Sequence, residues 1–230
     1  MHPRRRRARR TRQRGHDVPG VAAPGVTPQK KSLHASERDT PRVQQARQDY
    51  HRRITGLAPR RLKFVDESGV NLAMTRLYGR APAGERVVGS VPQNDGPNVT
   101  MPGALGVQGL QAVMTVDGPN DADVFRTDVK RVLGPTLSPG DIVVRDNLQA
   151  HKAVGVQQAL ARRGARLLYL PPSSPDLSPI DPCGSKVKTA LRTVKARTPA
   201  VLDAAIAEAM VTVSPTNAWH WFKHCGYPIH

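Results

Sequence analysis

Three aspartates stand where an apolar or proline-rich run turns polar: "KFVD" ends on Asp66, "IVVRD" ends on Asp146, and "LPPSSPDLSPIDP" carries Asp181. Carboxylates that converge repel one another unless a cation neutralises them. Oxygen donors with no accompanying Cys or His ligand set favour hard divalent ions, Mg2+ or Mn2+, over zinc. Two such ions, about 4 Å apart, activate a nucleophile and stabilise a leaving oxygen in phosphodiester chemistry. Each aspartate taken singly also reads as an acidic cap on the turn after it. Only their order and setting point to chemistry.

The elements that must position them follow from local pattern. "RRLKFVDES" predicts a strand ending at Asp66, and "NVTMPGALGV" and "GLQAVMTVDG" predict a hairpin around Gly106–Gly109. "DADVFRTDVKRVLGPTL" has apolar residues at helical spacing, "DIVVRDN" is a short buried strand ending at Asp146, and "HKAVGVQQALARRG" is a helix closed by Gly164. "RLLYLPP" is a strand, "SKVKTALRTVKA" and "AVLDAAIAEAMVTV" are helices, and "NAWHWFKHCGY" closes the chain with both tryptophans. The fold class is α/β, a mixed sheet with helices on both faces. Ligands of open α/β sheets gather beyond strand ends, so Asp66 and Asp146 can share a crevice.

Residues 170–186, "LPPSSPDLSPIDPCGSK", then read as a stiff arm. Pro171 and Pro172 lack amide donors and stop the preceding strand from pairing further. Pro175 and Pro179 keep the chain extended, and Pro182 suits the first turn of a helix that Asp181 opens. Asp176 reads as a turn or cap acid.

The bulk properties bound the partners. The 230 residues suffice for one sizeable core or one domain with a tail, and the 38% apolar and 4% aromatic shares suit some unfolded length. A net charge of +17 suits a polyanion, nucleic acid above all. Residues 1–28 hold eight arginines in the first fourteen positions, then Pro, Gly and Ala, and read as a disordered basic tail. This tail serves either as a phosphate-contacting DNA arm or as a stretch foreign to the ancestral gene. Residues 29–60, which include "ASERDTPRVQQARQDYHRRI", form a helical connector with a break at Pro41, and 61–230 form the core domain. Cys183 and Cys225 have no metal-type spacing and read as reduced, structural thiols of a cytosolic protein. No apolar run approaches the roughly 18 residues of a membrane span. The residues alone carry the reading to phosphoryl transfer on DNA or RNA.

"FVDESGVN", "RDNLQAHK" and "LPPSSPDLSPIDP…SKVK" together resemble the catalytic domain of insertion-sequence transposases in the mariner-like DDE/D superfamily. The 34 residues between Asp146 and Asp181 match the spacing of that superfamily's second and third acids. The resemblance implies a ribonuclease H-like fold over about residues 30–230. It implies that Asp66 and Asp146 bridge two Mg2+ or Mn2+ ions, with Asp181 as the third ligand. It further implies hydrolysis at transposon ends, then attack of the freed 3′-hydroxyl on target DNA. DNA is the implied partner, with a homodimer or a full-length transposase as protein partner, in a bacterial cytoplasm and with no membrane. His151 resembles a histidine often found in that motif, where it could orient a ligand or contact a DNA phosphate, although a helix-start hydrogen bond is the plainer reading. Lys186 and Lys188 could contact DNA or form a solvated helix face, and Arg76 and Arg80 could line the substrate groove.

Four departures qualify the match. Asp181 stands where close bacterial members carry Glu, although the mariner branch uses Asp. Ser173 replaces an aromatic and Gly184 a Trp. An Arg/Pro/Gly-rich stretch stands in place of helix-turn-helix modules, so the expectation is an N-terminally truncated transposase. The alternative is an inactive remnant that binds DNA or a full-length transposase; a ribonuclease H-type nuclease shares the metal chemistry but not the "LPPSSPDLSPID" arm.

Overall fold

Side chains alternate across a strand, so an apolar run buried on both faces feeds two cores. In β1 (Leu62–Val70), Leu62, Phe64 and Val70 enter one core while Val65 enters another. The computed structural model describes residues 33–96, 98–118, 127, 129–146 and 154–229. The tail 1–28, His151 and most of the run 119–128 lie outside these residues.

β2 (Val99–Gly106) and β3 (Gly109–Val113) form the expected hairpin, and the two-residue β4 (Val116–Asp117) pairs with β2. β5 (Ile142–Arg145) and β6 (Arg166–Tyr169) complete a mixed sheet in the order β3-β2-β1-β5-β6. β1 is parallel to β5, which is parallel to β6, and antiparallel to β2. One face is covered by α1 (Pro41–Ile54), α3 (Ile180–Val194), α4 (Pro199–Val211) and α5 (Pro215–His224). The other face is covered by α2 (Val154–Ala161) and by Val129 and Leu133. The α/β expectation with both faces covered therefore holds.

Phe64, Phe222 and Tyr227 meet at the centre of the larger core, with ring centroids 5.3 Å apart for Phe64–Phe222 and 5.1 Å for Phe64–Tyr227. Tyr50 and Ile54 of α1 belong to that same core. The segment read as a connector thus packs directly against the sheet. Burial pushes the thiols of Cys183 and Cys225 up to about 12, in keeping with structural, free cysteines.

Local signals explain most of the helix ends. Pro41 occupies the first turn of α1, and a short 3-10 turn, Ser36–Asp39, precedes it. Gly164 takes φ +70° after α2, where the Ala165 amide donates to the Leu160 carbonyl at 3.0 Å. Ser214 and Asn217 form a reciprocal capping box at α5. α3 starts at Ile180, one residue before the Asp181 expected to open it, and Pro182 falls in its first turn as expected. In the described part of the "DADVFRTDVKRVLGPTL" run, Val129–Leu133 is a π-helical turn followed by a 3-10 turn at Gly134–Thr136, where a regular helix was expected.

One expectation is corrected here. β1 does not end at Asp66 but continues to Val70. Its antiparallel partner β2 keeps pairing through Asp66↔Gly103 to Val70↔Val99, whereas its parallel pairing with β5 stops at Phe64↔Val144. Asp66 lies within a strand, beyond the point at which one neighbour has left it.

Candidate active site

Asp66 shares the side-chain parity of Leu62 and Phe64, which directs it to the face that α3 covers. Val144 of β5 faces that same core, and Asp146 follows it by two residues, one step past the strand end. Asp66 and Asp146 each follow by two residues the last parallel pair, Phe64↔Val144, and both line one cleft, where the Asp146 charge acts on Asp66.

The proline arm supplies the third acid. The Leu170 amide makes a last ladder-like bond to the Arg145 carbonyl at 2.8 Å, after which Pro171 and Pro172 offer no donor. Ser173 adopts the left-handed region at φ 53°, a costly state for a residue with a Cβ, and the Ser174 hydroxyl donates to the Pro172 carbonyl at 3.0 Å. A 3-10 turn, Pro175–Leu177, redirects the chain, and Asp181 lies in the first turn of α3. Asp66, Asp146 and Asp181 line one cleft of about 540 Å³, walled by Val65, Val144, residues 170–175 and Ser178.

Mutual repulsion and desolvation mark the cluster. Burial, then the Asp66 charge, raises the Asp181 carboxyl to about 6, with Asp146 adding and a hydrogen bond from Ser178 opposing. The Asp181 residue is exposed to solvent overall, so this desolvation acts on the inward side of a group at the cleft mouth. Asp66 is also raised, chiefly by burial; the Glu67 amide, Lys188 and Arg145 oppose that shift, while Asp146 adds to it. The donor set is hard oxygen, which fits a divalent ion such as Mg2+ or Mn2+. Among the described residues, no three His, Cys, Asp or Glu side chains already stand close enough to hold one ion. The carboxylates share a cleft without forming a closed cage.

The other candidates divide. Lys188 lies on the cleft side of α3, where its charge acts on Asp66. Lys186 faces away: its ammonium donates to the Thr212 carbonyl and to Asn217 Oδ1, both at 2.6 Å. Residues two apart on a helix point in nearly opposite directions, so the pair could not serve one groove. Arg76 donates to Thr193 Oγ1 at 3.4 Å and shares a separate open hollow with Tyr78, Gly79 and Arg80. Neither Arg76 nor Arg80 lines the aspartate cleft. His151 lies outside the described residues.

Two features escaped the sequence reading. Ser178, buried in the arm, hydrogen-bonds Asp181; its place three residues before an acid at a helix start was the available signal. Asp176 is no simple turn acid: Arg47 grips both its oxygens, at 3.0 and 2.8 Å, and Arg38 adds a contact at 3.2 Å. Burial would raise the Asp176 carboxyl, but Arg47 and Arg38 outweigh it and hold the group below the usual carboxylate range.

A family model described as DDE superfamily endonuclease matches residues 61–202. No curated protein sequence matches the chain. Among solved structures, the fold is similar to Mos1 transposase in a paired-end complex with the left transposon end, with a TM-score of 0.70 at 15% identity over 86% of this chain and 63% of that one. The Mos1 mariner paired-end complex with Mn gives a TM-score of 0.67 at 15% identity, covering 86% and 63%. The Mos1 catalytic domain with raltegravir and Mg gives 0.61 at 15% identity, covering 83% and 91%. The chain thus spans about 63% of the length of the paired-end Mos1 chains it matches. At these identities the likeness is one of fold, and it bears out the ribonuclease H-like expectation.

Proposed function

The chain belongs to the DDE superfamily endonuclease family, whose match takes in the elements carrying Asp66, Asp146 and Asp181, and from that premise we propose that it is the catalytic domain of a DNA transposase. The observation that carries the reading is the convergence of those three aspartates on one cleft. Asp66 and Asp146 would hold two Mg2+ or Mn2+ ions between them, with Asp181 as third ligand. Bound there, the ions would supply Lewis-acid polarisation of a phosphodiester and a water of lowered pKa.

The chain's own residues bind and orient. Lys188 would contact a phosphate near Asp66, and the neutral walls of Pro171, Pro172 and Val144 would exclude water from one side of the scissile bond. Ser178 would hold Asp181 in its ionised, ligating form. In the first step, water oxygen bonds to phosphorus as the bond to the 3′-oxygen breaks and that oxygen takes a proton. In the second, the freed 3′-hydroxyl gives up its proton as its oxygen bonds to a target phosphorus, and the target's own displaced 3′-oxygen takes a proton. Mos1 is named in a paired-end complex with a transposon end, which supports DNA as partner, and a homodimer would suit the pairing of two ends. On this reading residues 61–230 are the catalytic domain, 29–60 a helical lead-in, and 1–28 a DNA-contacting arm, in a bacterial cell's DNA-associated cytoplasm as part of an insertion sequence.

A second reading, a fold kept without activity, is favoured by one observation: the described acids do not yet form a closed ligand cage. Nicking of supercoiled plasmid and joining of a labelled 3′-hydroxyl end to target DNA, each with Mn2+, separate the two. Activity in the wild type that Asp66→Asn and Asp146→Asn abolish supports the transposase. Nicking without joining supports a nuclease, and neither reaction supports the inactive fold.

A further inference from the structure

α1 lies outside residues 61–202, the span of the family match, yet it grips the arm that delivers Asp181. The Arg47 guanidinium makes a two-pronged contact, Nη1 to Asp176 Oδ1 at 3.0 Å and Nη2 to Oδ2 at 2.8 Å. Only 12% of the Arg47 side chain is exposed, so this fork is largely withdrawn from solvent. One residue on, the Tyr227 hydroxyl donates to the Leu177 carbonyl at 2.7 Å. That hydroxyl has one proton, so in its 2.8 Å contact with Tyr50 it accepts and Tyr50 donates. α1 therefore holds the arm twice, at Asp176 directly through Arg47 and at Leu177 through Tyr50 and Tyr227.

Little slack separates these anchors from the carboxylate. Leu177 and Ser178 amides bond back to Ser174 and Pro175, the Asp181 amide bonds to the Ser178 carbonyl at 3.2 Å, and Pro179 stiffens the interval. Asp66 and Asp146 are set by the sheet, but Asp181 is set by this arm. Partners beyond the ligands orient them, and their loss weakens metal affinity by about 10–100-fold.

We infer that Arg47 is a positioning residue: its fork on Asp176 fixes where Asp181 stands relative to Asp66 and Asp146. The inference rests on the metal-dependent reading of that cleft. A planar fork cannot be replaced by a point charge, so Arg47→Lys retains part of the effect and Arg47→Met none.

Calorimetric titration of the full chain with Mn2+, well below each variant's unfolding temperature, tests it. Arg47→Met and Asp176→Asn are expected to bind about tenfold more weakly than wild type, with Arg47→Lys intermediate and the exposed Arg42→Met unchanged. Without metal, the Asp181 amide of Arg47→Met is expected to exchange its hydrogen faster while β1 amides do not. Equal Mn2+ affinity in wild type and variants overturns the inference, whatever happens to stability. So does an unchanged Asp181 exchange rate. If Arg47→Met does not fold, Asp176→Asn and Arg47→Lys decide by the same comparison. A wild type that binds no Mn2+, or an Asp66→Asn that binds it equally well, overturns the metal reading and this inference with it, a pattern distinct from failure of the variants alone.

Discussion

Phe64 of β1 is paired in parallel with Val144 of β5, and an aspartate follows each by two residues. The pairing ends just there, so the sheet presents Asp66 and Asp146 side by side on the face covered by α3. The two carboxylates stand just past the end of that ladder, and the proline arm brings Asp181 to the same cleft.

The raised Asp181 carboxyl gives a pH signature. Its folded value of about 6 exceeds the unfolded value of about 3.9, so between these limits the folded state holds more protons. The metal-free protein therefore loses stability as pH rises from about 4 to about 6, and recovers none above. Asp66 adds in the same direction. Denaturant midpoints in a chelator should show Asp181→Asn more stable than wild type at pH 7, with the gap closing near pH 4. A gap independent of pH would contradict the assignment.

Lys186 and Lys188 should separate by phenotype. Lys186→Met loses two hydrogen bonds, one to Thr212 at the end of α4 and one to Asn217 in the first turn of α5, at a cost of about 1–2 kcal/mol, with DNA affinity per folded molecule unchanged. Lys188→Met should leave stability nearly unchanged and weaken DNA binding, with a shallower salt dependence. Thermal unfolding and fluorescence anisotropy at several salt concentrations read both.

Gly184 and Ser68 form a coupled pair. A Cβ at position 184 would come 3.1 Å from the Ser68 Oγ, tight enough that the hydroxyl must give way. Ala is worth up to about 1 kcal/mol over Gly within a helix. Gly184→Ala alone should be close to neutral, while Gly184→Ala with Ser68→Ala should recover most of that gain in a double-mutant cycle.

Phe222 is fully buried against Phe64 and Tyr227. Phe222→Ala should cost about 3–5 kcal/mol, and Phe222→Leu clearly less. Because Phe64 is two residues from Asp66, the Ala variant should also reduce Mn2+ affinity as the β1 register loosens.

What the sequence disclosed follows its local physics. The apolar runs 62–65 and 142–144, the Gly106–Gly109 turn, the Gly164 stop and the donor-free prolines 171 and 172 each act within a few residues, and each predicted its element. The extension of β1 past Asp66 depends on β2, whose partners run from Gly103 opposite Asp66 to Val99 opposite Val70, and no local signal carries that. Likewise the three candidate acids were legible from their order, whereas the Arg47–Asp176 fork joins residues 129 apart, and Lys186 meets a carbonyl 26 residues away. Lys186 sits two residues from Lys188 on the same helix and so points elsewhere, toward Thr212 and Asn217.

The most direct test of the central claim is thermal unfolding of the full chain with and without Mn2+, for wild type, Asp66→Asn and Asp146→Asn. A site completed by the three aspartates predicts that Mn2+ raises the wild-type midpoint and leaves both variants unmoved, since a ligand stabilises only the state that binds it. A cooperative wild-type transition that Mn2+ does not shift, or one shifted equally in all three proteins, would contradict it.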